Sequence, residues 1–447
     1  MKIKKYILII IIFFLVLSFF SIWTAINGGY DKQNKIILLF KEFIPNSVSR
    51  KIRNTIFFIP NLLTQNKILE LQVEKFEQGY EGKLFQENDV KFGEKKYSYK
   101  NFFLPFPRLD LRAGYKATKN STRAHYLEVI KDKVLIISGL GETIFFDKKN
   151  IFNKKLNQIK IPNNIKNKIL KKNNYKLIGV RDLFYEKNYI YISLLFESKK
   201  GFSVNLYRAN LDYKKLDFEL FFETKEYWQN FNVFSGGRIE KFRDNKILFS
   251  TGFANIKNIA QDKNSLLGKI ISIDIDTGNH ELISIGHRNP QGLTYVENLN
   301  LIINTEHGPK GGDEINFNYY IKDTIPNYGW DIASYGVPYG GGKDYKKSHE
   351  DYGFVEPFKN FNPAIGISEI IFLNKDLSPS KKDTLFVSSL RAGSIYEIEL
   401  NSDLNKIVKE SRFNFGDERI RDIEYDNEHN VIFILFEYTP SIGILKL

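Results

Sequence analysis

The sequence contains no cysteine among its 447 residues. Disulfide bonds, thiolate metal sites and cysteine nucleophiles are therefore excluded together. The absence is compatible with an oxidising compartment without identifying one. Long helical periods are also scarce beyond residue 125, where 164–172 is the one candidate, and no clean internal repeat is visible.

Motifs for nucleic-acid binding are lacking as well. The formal net charge of +13 would suit a polyanionic partner. However, no helix-turn-helix, zinc finger or RNA-binding aromatic motif accompanies the lysines, which are scattered among asparagine and isoleucine. We therefore expect no nucleic-acid partner.

Apolar and aromatic residues are plentiful. Hydrophobic residues make up 43% of the chain and aromatic residues 15%. This composition is typical of a folded protein rather than a disordered one. The length allows one large domain with accessory segments.

One long uncharged run stands at the N-terminus. Lys2, Lys4 and Lys5 precede residues 6–26, which carry no charge. About 20 apolar residues cross a bilayer, whereas a cleavable signal has an apolar region of about 7–15. The pattern favours an uncleaved transmembrane anchor over 1–27 rather than a cleaved signal. The leading lysines predict a cytoplasmic N-terminus, a single pass, and a C-terminal domain outside the cytoplasm, which is the periplasm in a Gram-negative cell.

Residues 28–120 are interpreted as a stem or linker. Short apolar clusters alternate with basic residues up to about Phe76, with Pro45 and Pro60 as breakers. Either a helical stem lies near the membrane surface, or an ordinary helical linker packs on the main domain. Between Gly79 and Pro107 we expect an irregular connection with one or two strands.

The remainder, 121–447, is predicted to be all-β. Runs rich in Ile, Phe, Tyr and Val are separated by Asn, Asp, Gly and Lys turns. The strand-like runs are 133–138, 143–146, 189–196, 204–208, 246–250, 269–275, 301–304, 384–388, 394–400 and 430–437. Many short strands without helices leave a sandwich array, a β-helix or a propeller open, and periodicity does not choose among them.

Four clusters of unusual composition follow in order. They cover 260–276, 286–293, 305–316 with 327–330, and 388–394 with 419–422. The second reads GHRNPQGL and the third TEHGPKGGDEIN, and both are too long to arise easily by chance.

These clusters resemble the glucose/sorbosone dehydrogenase family, whose sugar dehydrogenases use pyrroloquinoline quinone (PQQ). The likeness is good over about 231–447 and rests on strand pattern alone over 125–230. It implies a six-bladed β-propeller, an aldose substrate oxidised at its anomeric carbon by hydride transfer to PQQ, and an electron acceptor that the sequence does not identify.

The resemblance also implies the cofactor residues. Arg288 and Asn289 match positions that reach the reactive carbonyl of the quinone, and Arg419 and Arg421 match cofactor-binding arginines. Guanidinium groups form forked, charge-assisted bonds with carboxylates, although an isolated Arg-x-Arg is usually a surface pair. His307 lies inside a cofactor-type motif and is either structural or cofactor-facing.

A calcium site is implied in the third cluster. Gly308 and Pro309 match main-chain carbonyls that bind Ca²⁺ in the family, and calcium prefers such hard oxygen ligands. Asp313 and Glu314 resemble a second, structural cation position, with a turn salt-bridged to a lysine as the alternative. Trp330 is expected either to face the ligand or to plug the space between blades, and the same holds for Tyr328.

The expected catalytic base is missing. In the family a histidine stands shortly before a Gly-Gly-Arg element, and the matching stretch here, 232–238, places Phe234 at that position. Phe253 also stands where the family usually has an acidic residue. Two hypotheses follow: an anchored PQQ- and calcium-dependent sugar dehydrogenase with a displaced base, or a catalytically degenerate propeller that acts as a ligand- or protein-binding module.

Overall fold

The computed structural model describes residues 82–92, 95–106, 124–416 and 418–447. Within these ranges the chain forms 25 strands arranged in six antiparallel sheets. The predicted membrane anchor over 1–27 and most of the predicted stem lie outside the described residues.

The strands are short and follow one another closely along the chain. The first two are β1 (Leu84–Phe92) and β2 (Lys95–Phe103). Blade 1 contains β3 (His125–Ile130), β4 (Lys133–Ser138), β5 (Thr143–Asp147) and β6 (Ile159–Ile161). Blade 2 contains β7 (Lys176–Glu186), β8 (Tyr189–Ser198), β9 (Gly201–Asn210) and β10 (Glu219–Glu223). Blade 3 contains β11 (Gly236–Phe242), β12 (Lys246–Thr251), β13 (Lys269–Asp274) and β14 (His280–Ile285).

The second half repeats the plan. Blade 4 contains β15 (Pro290–Val296), β16 (Leu301–Glu306), β17 (Asp313–Tyr319) and β18 (Lys359–Phe361). Blade 5 contains β19 (Ile367–Leu373), β20 (Thr384–Ser389), β21 (Ser394–Leu400) and β22 (Ile407–Asn414). The last strands are β23 (Ile420–Asp426), β24 (Val431–Phe436) and β25 (Ser441–Lys446).

The first strands of the six sheets meet around one axis. Each of β3, β7, β11, β15, β19 and β23 contacts the next, and β23 contacts β3 again. The sheets therefore close into a ring, which confirms the predicted six-bladed β-propeller. Each of the six interfaces between adjacent blades holds its own cluster of buried apolar side chains.

The two ends of the described chain share one sheet. Its strand order is β1-β2-β25-β24-β23, with Tyr99 of β2 opposite Leu445 of β25. The expected strands between Gly79 and Pro107 are confirmed. They belong to the sheet that closes the ring, so this closing blade contains β1 and β2 as well as β23, β24 and β25.

The inner strands carry irregularities at nearly equivalent points. Pairing with the second strand of the blade shifts register at Val180/Asp182, Gly236/Ile239, Pro290/Gly292, Ile367/Ile370 and Ile420/Asp422. Such bulges leave residues out of the ladder and re-aim their side chains. Five blades thus turn polar side chains towards the axis near the start of the inner strand.

Within the described residues, helical structure is limited to short turns. The expected helix over 164–172 is confirmed as a π-helical turn, Ile165–Leu170, that leads into α1 (Lys171–Asn173). Single 3₁₀ turns occupy Lys148–Phe152, Ile259–Gln261, Glu297–Leu299 and Glu350–Tyr352. Across the described ranges, no helix has the length and apolar character needed to cross a bilayer.

Candidate functional site

Arg238 lies at the bulge in β11, and its side chain contacts the inner strands of the other blades. Its Nη1 lies 2.7 Å from Asp182, 2.8 Å from Glu369 and 3.0 Å from Asp422. Its Nε donates to the Gln291 carbonyl at 2.6 Å, and its guanidinium carbon lies 5.0 Å from the centre of the Tyr126 ring, on β3. One buried cation therefore contacts the inner strands of all six blades.

Two of the three carboxylates around Arg238, those of Asp182 and Glu369, have raised pKa values. Burial raises the pKa of Asp182 to about 7, although the charge of Arg238 opposes the rise and the nearby Asp422 adds to it. Burial likewise raises the pKa of Glu369. Three carboxylates share one arginine here, so this cluster is a structural centre with little capacity to bind a further anion.

Arg419 and Arg421 are held by one carboxylate. Glu437 follows β24, and its two oxygens accept from Arg419 Nε at 2.6 Å and Arg421 Nε at 2.7 Å. Burial alone would raise the pKa of Glu437, but Arg421 and Arg419 outweigh it and lower that pKa to about 2. Arg421 also donates through Nη1 to Gln291 Oε1 at 2.8 Å, so the bulge of the closing blade is joined to that of blade 4.

Two further basic side chains lie near this pair. Arg181, at the bulge of β7, feels the charges of Arg421 and Glu437, and burial lowers its pKa. His125, at the start of β3, stacks on Phe106 with 4.9 Å between ring centres. Burial lowers the pKa of His125 to about 4, so its imidazole is neutral near pH 7.

Arg288 and Asn289 precede β15 and are held by Glu306. Both backbone N–H groups donate to the Glu306 carboxylate. The Arg288 side chain is 6% exposed, and its Nη1 donates to the His307 carbonyl at 2.6 Å. The Asn289 side-chain oxygen accepts from the backbone N–H of Gly236 at 3.2 Å, which links blades 4 and 3.

His307 connects the two groups of arginines. Burial, followed by the charges of Arg421, Arg288 and Arg419, lowers its pKa to about 3. Those three guanidinium groups therefore lie close enough to one imidazole to affect its ionisation. The structure thus brings the predicted cofactor residues together.

Three aromatic rings surround the Arg288 guanidinium. Its central carbon lies 4.6 Å from the ring centre of Phe234, 5.1 Å from that of Trp330 and 5.8 Å from that of Phe253. Phe234 stacks on Phe253 at 5.6 Å, and Trp330 meets Phe253 edge-on at 5.2 Å. We call Phe234, Phe253 and Trp330 the aromatic cage.

The third cluster forms a tight turn at Gly308 and Pro309, beside Arg288. The backbone leaves no room for a side chain at Gly308, where an added Cβ would lie 1.6 Å from the Gly312 carbonyl oxygen. The Pro309 carbonyl accepts from the Gly312 N–H at 3.1 Å. A carbonyl oxygen has a second lone pair, so this turn remains able to present hard oxygen ligands to a cation.

Asp313 and Glu314 differ in their surroundings. Asp313 accepts backbone N–H groups of Gly308 at 3.1 Å and Gly366 at 2.6 Å, so it braces the turn. Burial raises the pKa of Glu314, and the nearby Glu306 adds to the rise. Among the described residues Glu314 makes no salt bridge to a lysine, and the basic side chain beside it is His349, whose Nε2 lies 3.8 Å away.

Tyr328 and His287 have structural contacts. The Tyr328 hydroxyl donates to the Phe317 carbonyl at 2.8 Å, and its ring packs against His287. His287 is fully buried between Ser284 Oγ at 2.7 Å and Glu306 at 3.2 Å. Tyr328 is therefore a buried plug, whereas Trp330 packs directly on Arg288.

Several buried nitrogens near the arginines have no hydrogen-bond partner among the described residues. They are Nε of Arg181, Nε of Arg288, Nδ1 of His125 and Nε2 of His307. A buried polar group left unpaired costs about 1–3 kcal/mol. The unpartnered nitrogens of Arg181, Arg288, His125 and His307 fit a compact, oxygen-rich polyanion such as a polycarboxylated quinone, and the Gly308–Pro309 turn fits a hard cation.

Sequence reasoning missed Arg181, His125, Gln291 and Glu437. The signal for Glu437 was present, because it ends a predicted strand with a charge where the buried pattern should continue. Arg181 and Gln291 lie at bulges, which break the alternation that strand prediction relies on. His125 stands at the edge of the predicted β region without any motif.

Comparison with known proteins gives consistent results. A family model described as Glucose / Sorbosone dehydrogenase matches residues 177–441. The aldose sugar dehydrogenase YliI of Escherichia coli is 30% identical over 243 residues, which is 51% of this chain and 64% of that protein. The chain matches about two thirds or less of the length of each of the curated relatives.

Solved structures share the fold. The apo form of the soluble aldose sugar dehydrogenase from E. coli superposes with a TM-score of 0.58 at 23% identity, covering 72% of this chain and 95% of that one. The PQQ-bound aldose sugar dehydrogenase from Streptomyces coelicolor gives a TM-score of 0.52 at 18% identity, covering 78% and 98%.

Proposed function

Because this chain belongs to the glucose/sorbosone dehydrogenase family, we propose that it binds PQQ beside Arg288 and Arg421 and acts as a sugar-oxidising quinoprotein. The convergence of three arginines on His307 carries this proposal. Arg288 is buried and donates to the His307 carbonyl, while Arg419 and Arg421 are partly buried and paired with Glu437.

The chain's own groups have distinct tasks towards this cofactor. Arg419 and Arg421, fixed by Glu437, would hold carboxylates through their outer nitrogens, with Arg181 adding charge. Arg288 and Asn289 would donate to a carbonyl oxygen. The carbonyls of Gly308 and Pro309 would bind Ca²⁺, and Asp313 keeps their turn in shape.

PQQ when bound supplies an electrophilic carbonyl that accepts a hydride. Arg288, buried and fixed before any ligand arrives, is placed to stabilise negative charge on such an oxygen. An aldose is the substrate class that we propose. Its anomeric hydroxyl must lose a proton, and Phe234 cannot accept it.

The second candidate function is ligand binding without turnover. Phe234 and Phe253 occupy the expected positions of the base and of an acidic residue, and they stack on each other and on Arg288. A site lined in this way keeps the cation Arg288 but has no proton acceptor at position 234. This observation favours a propeller that keeps its cofactor pocket and works as a binding module.

Reconstitution separates the candidates. The full chain, purified in detergent, is incubated with Ca²⁺ and PQQ, and bound cofactor is measured by absorbance after gel filtration. Uptake of one equivalent with dye reduction by aldoses supports the oxidoreductase. Uptake without turnover supports the binding module, and no uptake contradicts both.

Matched arginine variants locate the site. Arg421→Gln should weaken PQQ uptake at least about tenfold, because it removes a buried charge-assisted bond. Arg243→Gln is the control, since Arg243 lies at the periphery and pairs with Asp244. Equal uptake by both variants would place the cofactor elsewhere.

The membrane arrangement remains part of the proposal. The uncharged run 6–26 behind three lysines supports a single-pass anchor with the propeller outside the cytoplasm. Protease added to intact spheroplasts should degrade the propeller. Complete protection there, with degradation after lysis, would contradict the arrangement.

A further inference from the structure

Two members of the aromatic cage, Phe234 and Phe253, occupy the positions where the family resemblance leads us to expect a base and an acid. Phe234 belongs to the segment before β11, Phe253 follows β12, and Trp330 comes from the long connection after β17. The three rings thus reach Arg288 from three separate parts of the chain. All three lie within 6 Å of its guanidinium carbon, the range in which a cation is attracted by a ring face.

Arg288 lacks the partners that usually fix a buried arginine. Its side chain makes a hydrogen bond through Nη1 to the His307 carbonyl, while Nε is buried and unpartnered among the described residues. Burial lowers its pKa, and the acidic groups that oppose this effect are not bonded to its guanidinium. The rings therefore supply the contact that a carboxylate would otherwise provide.

We propose that Phe234, Phe253 and Trp330 are positioning residues that hold Arg288 in its ligand-binding orientation, so that an acid–base wall has been replaced by a cation–π cage. A carboxylate partner would neutralise Arg288 and compete with an incoming anion. Aromatic rings stabilise the cation without using its N–H groups. The positive charge of the guanidinium is therefore not offset by a bonded carboxylate, and its Nε–H stays available to a ligand.

The ligand side of this inference rests on the proposed function. An arginine confined by three rings loses little side-chain freedom when it binds, whereas a free arginine loses up to about 2 kcal/mol of rotamer entropy. The cage should therefore strengthen PQQ binding. It should do so whether or not an aldose is oxidised.

A double-mutant cycle on the cofactor-free full chain tests the cage itself. Unfolding in urea is compared for wild type, Phe234→Leu, Arg288→Met and the double variant. We expect the two changes to be non-additive by about threefold or more in the unfolding equilibrium constant. The control pairs Arg288→Met with Phe231→Leu, an exposed ring on the same segment that should behave additively. Additivity for Phe234 would overturn the cage.

Cofactor affinity tests the positioning role. Phe234→Leu should bind PQQ about three- to tenfold more weakly than wild type. Phe234→Tyr should restore the affinity, because it retains the ring and Phe234 is partly exposed. Equal affinities for the Leu and Tyr variants would contradict the positioning role. If the wild-type chain binds no PQQ, the proposed function is wrong. The double-mutant cycle in urea would still decide whether the cage exists.

Discussion

Glu437 determines whether the two arginines of the fourth motif can act as a unit. It is buried, and its carboxylate accepts from the Nε atoms of Arg419 and Arg421. Their outer nitrogens have other partners: Arg421 Nη1 donates to Gln291 Oε1 at 2.8 Å, and Arg419 Nη1 donates to the Leu390 carbonyl at 3.5 Å. The charge of Glu437 also lowers the repulsion between the arginines when no ligand is bound.

Replacing Glu437 by Gln should reduce the acid sensitivity of the fold. The pKa of Glu437 is about 2 in the folded protein and 4.5 ordinarily. Its contribution to stability is therefore present above about pH 4.5 and is lost as the pH falls towards 2, by roughly 3 kcal/mol in total. Urea unfolding between pH 5 and 2 should show a smaller loss for Glu437→Gln. Glu281→Gln, at an exposed pair with Lys246, should match wild type, and equal slopes for all three would contradict the assignment.

Phe234→His should restore a proton acceptor at the position where the resemblance expects one. We expect dye reduction with aldoses by the PQQ-loaded protein to rise at least about tenfold, within the range of general-base catalysis. Phe231→His is the control, because it places a histidine three residues earlier at an exposed position. An unchanged rate for Phe234→His, with PQQ still bound, would show that the alignment of 232–238 is wrong or that the base lies elsewhere.

Strand prediction succeeded where both faces of a blade are buried. All ten predicted runs correspond to second or third strands, such as β16 and β24, whose residues are buried throughout. The sequence pattern did not predict the inner strands one by one, because glycine, bulges and polar residues interrupt their apolar pattern. Arg181 and Arg421 lie on those inner strands, and Arg288 and Asn289 lie directly before one, so the elements hardest to predict position much of the candidate site.

The closing blade depends on close contact between β2 and β25. Gly443 faces Tyr99, and an added Cβ would lie 2.8 Å from the Tyr99 ring and 3.0 Å from Phe436. Gly443→Val should therefore destabilise the protein by about 1–3 kcal/mol, the usual cost of overpacking. Urea unfolding measures the effect, with Gly340→Val as control because nothing lies within 4 Å of Gly340.

A compensating change sharpens this test. Tyr99→Ala is costly by itself because the ring is buried, but it removes the ring that the new valine would strike, so the double variant should lose less stability than the sum of the two single losses. If Gly443→Val alone were as stable as wild type, β2 would not be packed on β25 as described. The sequence predicted strands in this segment, but their pairing with the C-terminus is a long-range contact that local pattern does not contain.

At the scale of the whole molecule, the propeller was predicted through family resemblance and not through periodicity. The blades carry no visible sequence repeat. Even at the equivalent bulges the residues differ, since Arg181, Gln291 and Arg421 each make different contacts. The structure adds a reason for ring closure that no motif indicated. Arg238 binds carboxylates from three blades at once.

Arg238→Met should weaken the ring in a pH-dependent manner. In the wild type the folded-state pKa of Asp182 is already raised from 3.8 to about 7. Because the folded state then holds this proton more tightly than the unfolded state, its contribution to stability falls as the pH rises from about 4 towards 7. Removing Arg238 removes the cation that opposes this rise, so the carboxylates must stay protonated or remain buried without a partner.

The penalty for Arg238→Met should therefore be larger at pH 8 than at pH 5. Breaking a buried ion pair by removing one partner costs about 3–5 kcal/mol, and protonation of Asp182 and Glu369 at pH 5 should recover part of it. Urea unfolding at the two pH values measures the difference. Arg208→Met, which removes an arginine paired with the exposed Glu219 on the flank of blade 2, should show a small and pH-independent effect. An equal penalty for Arg238→Met at pH 5 and pH 8 would mean that the three carboxylates do not depend on this arginine for their charge.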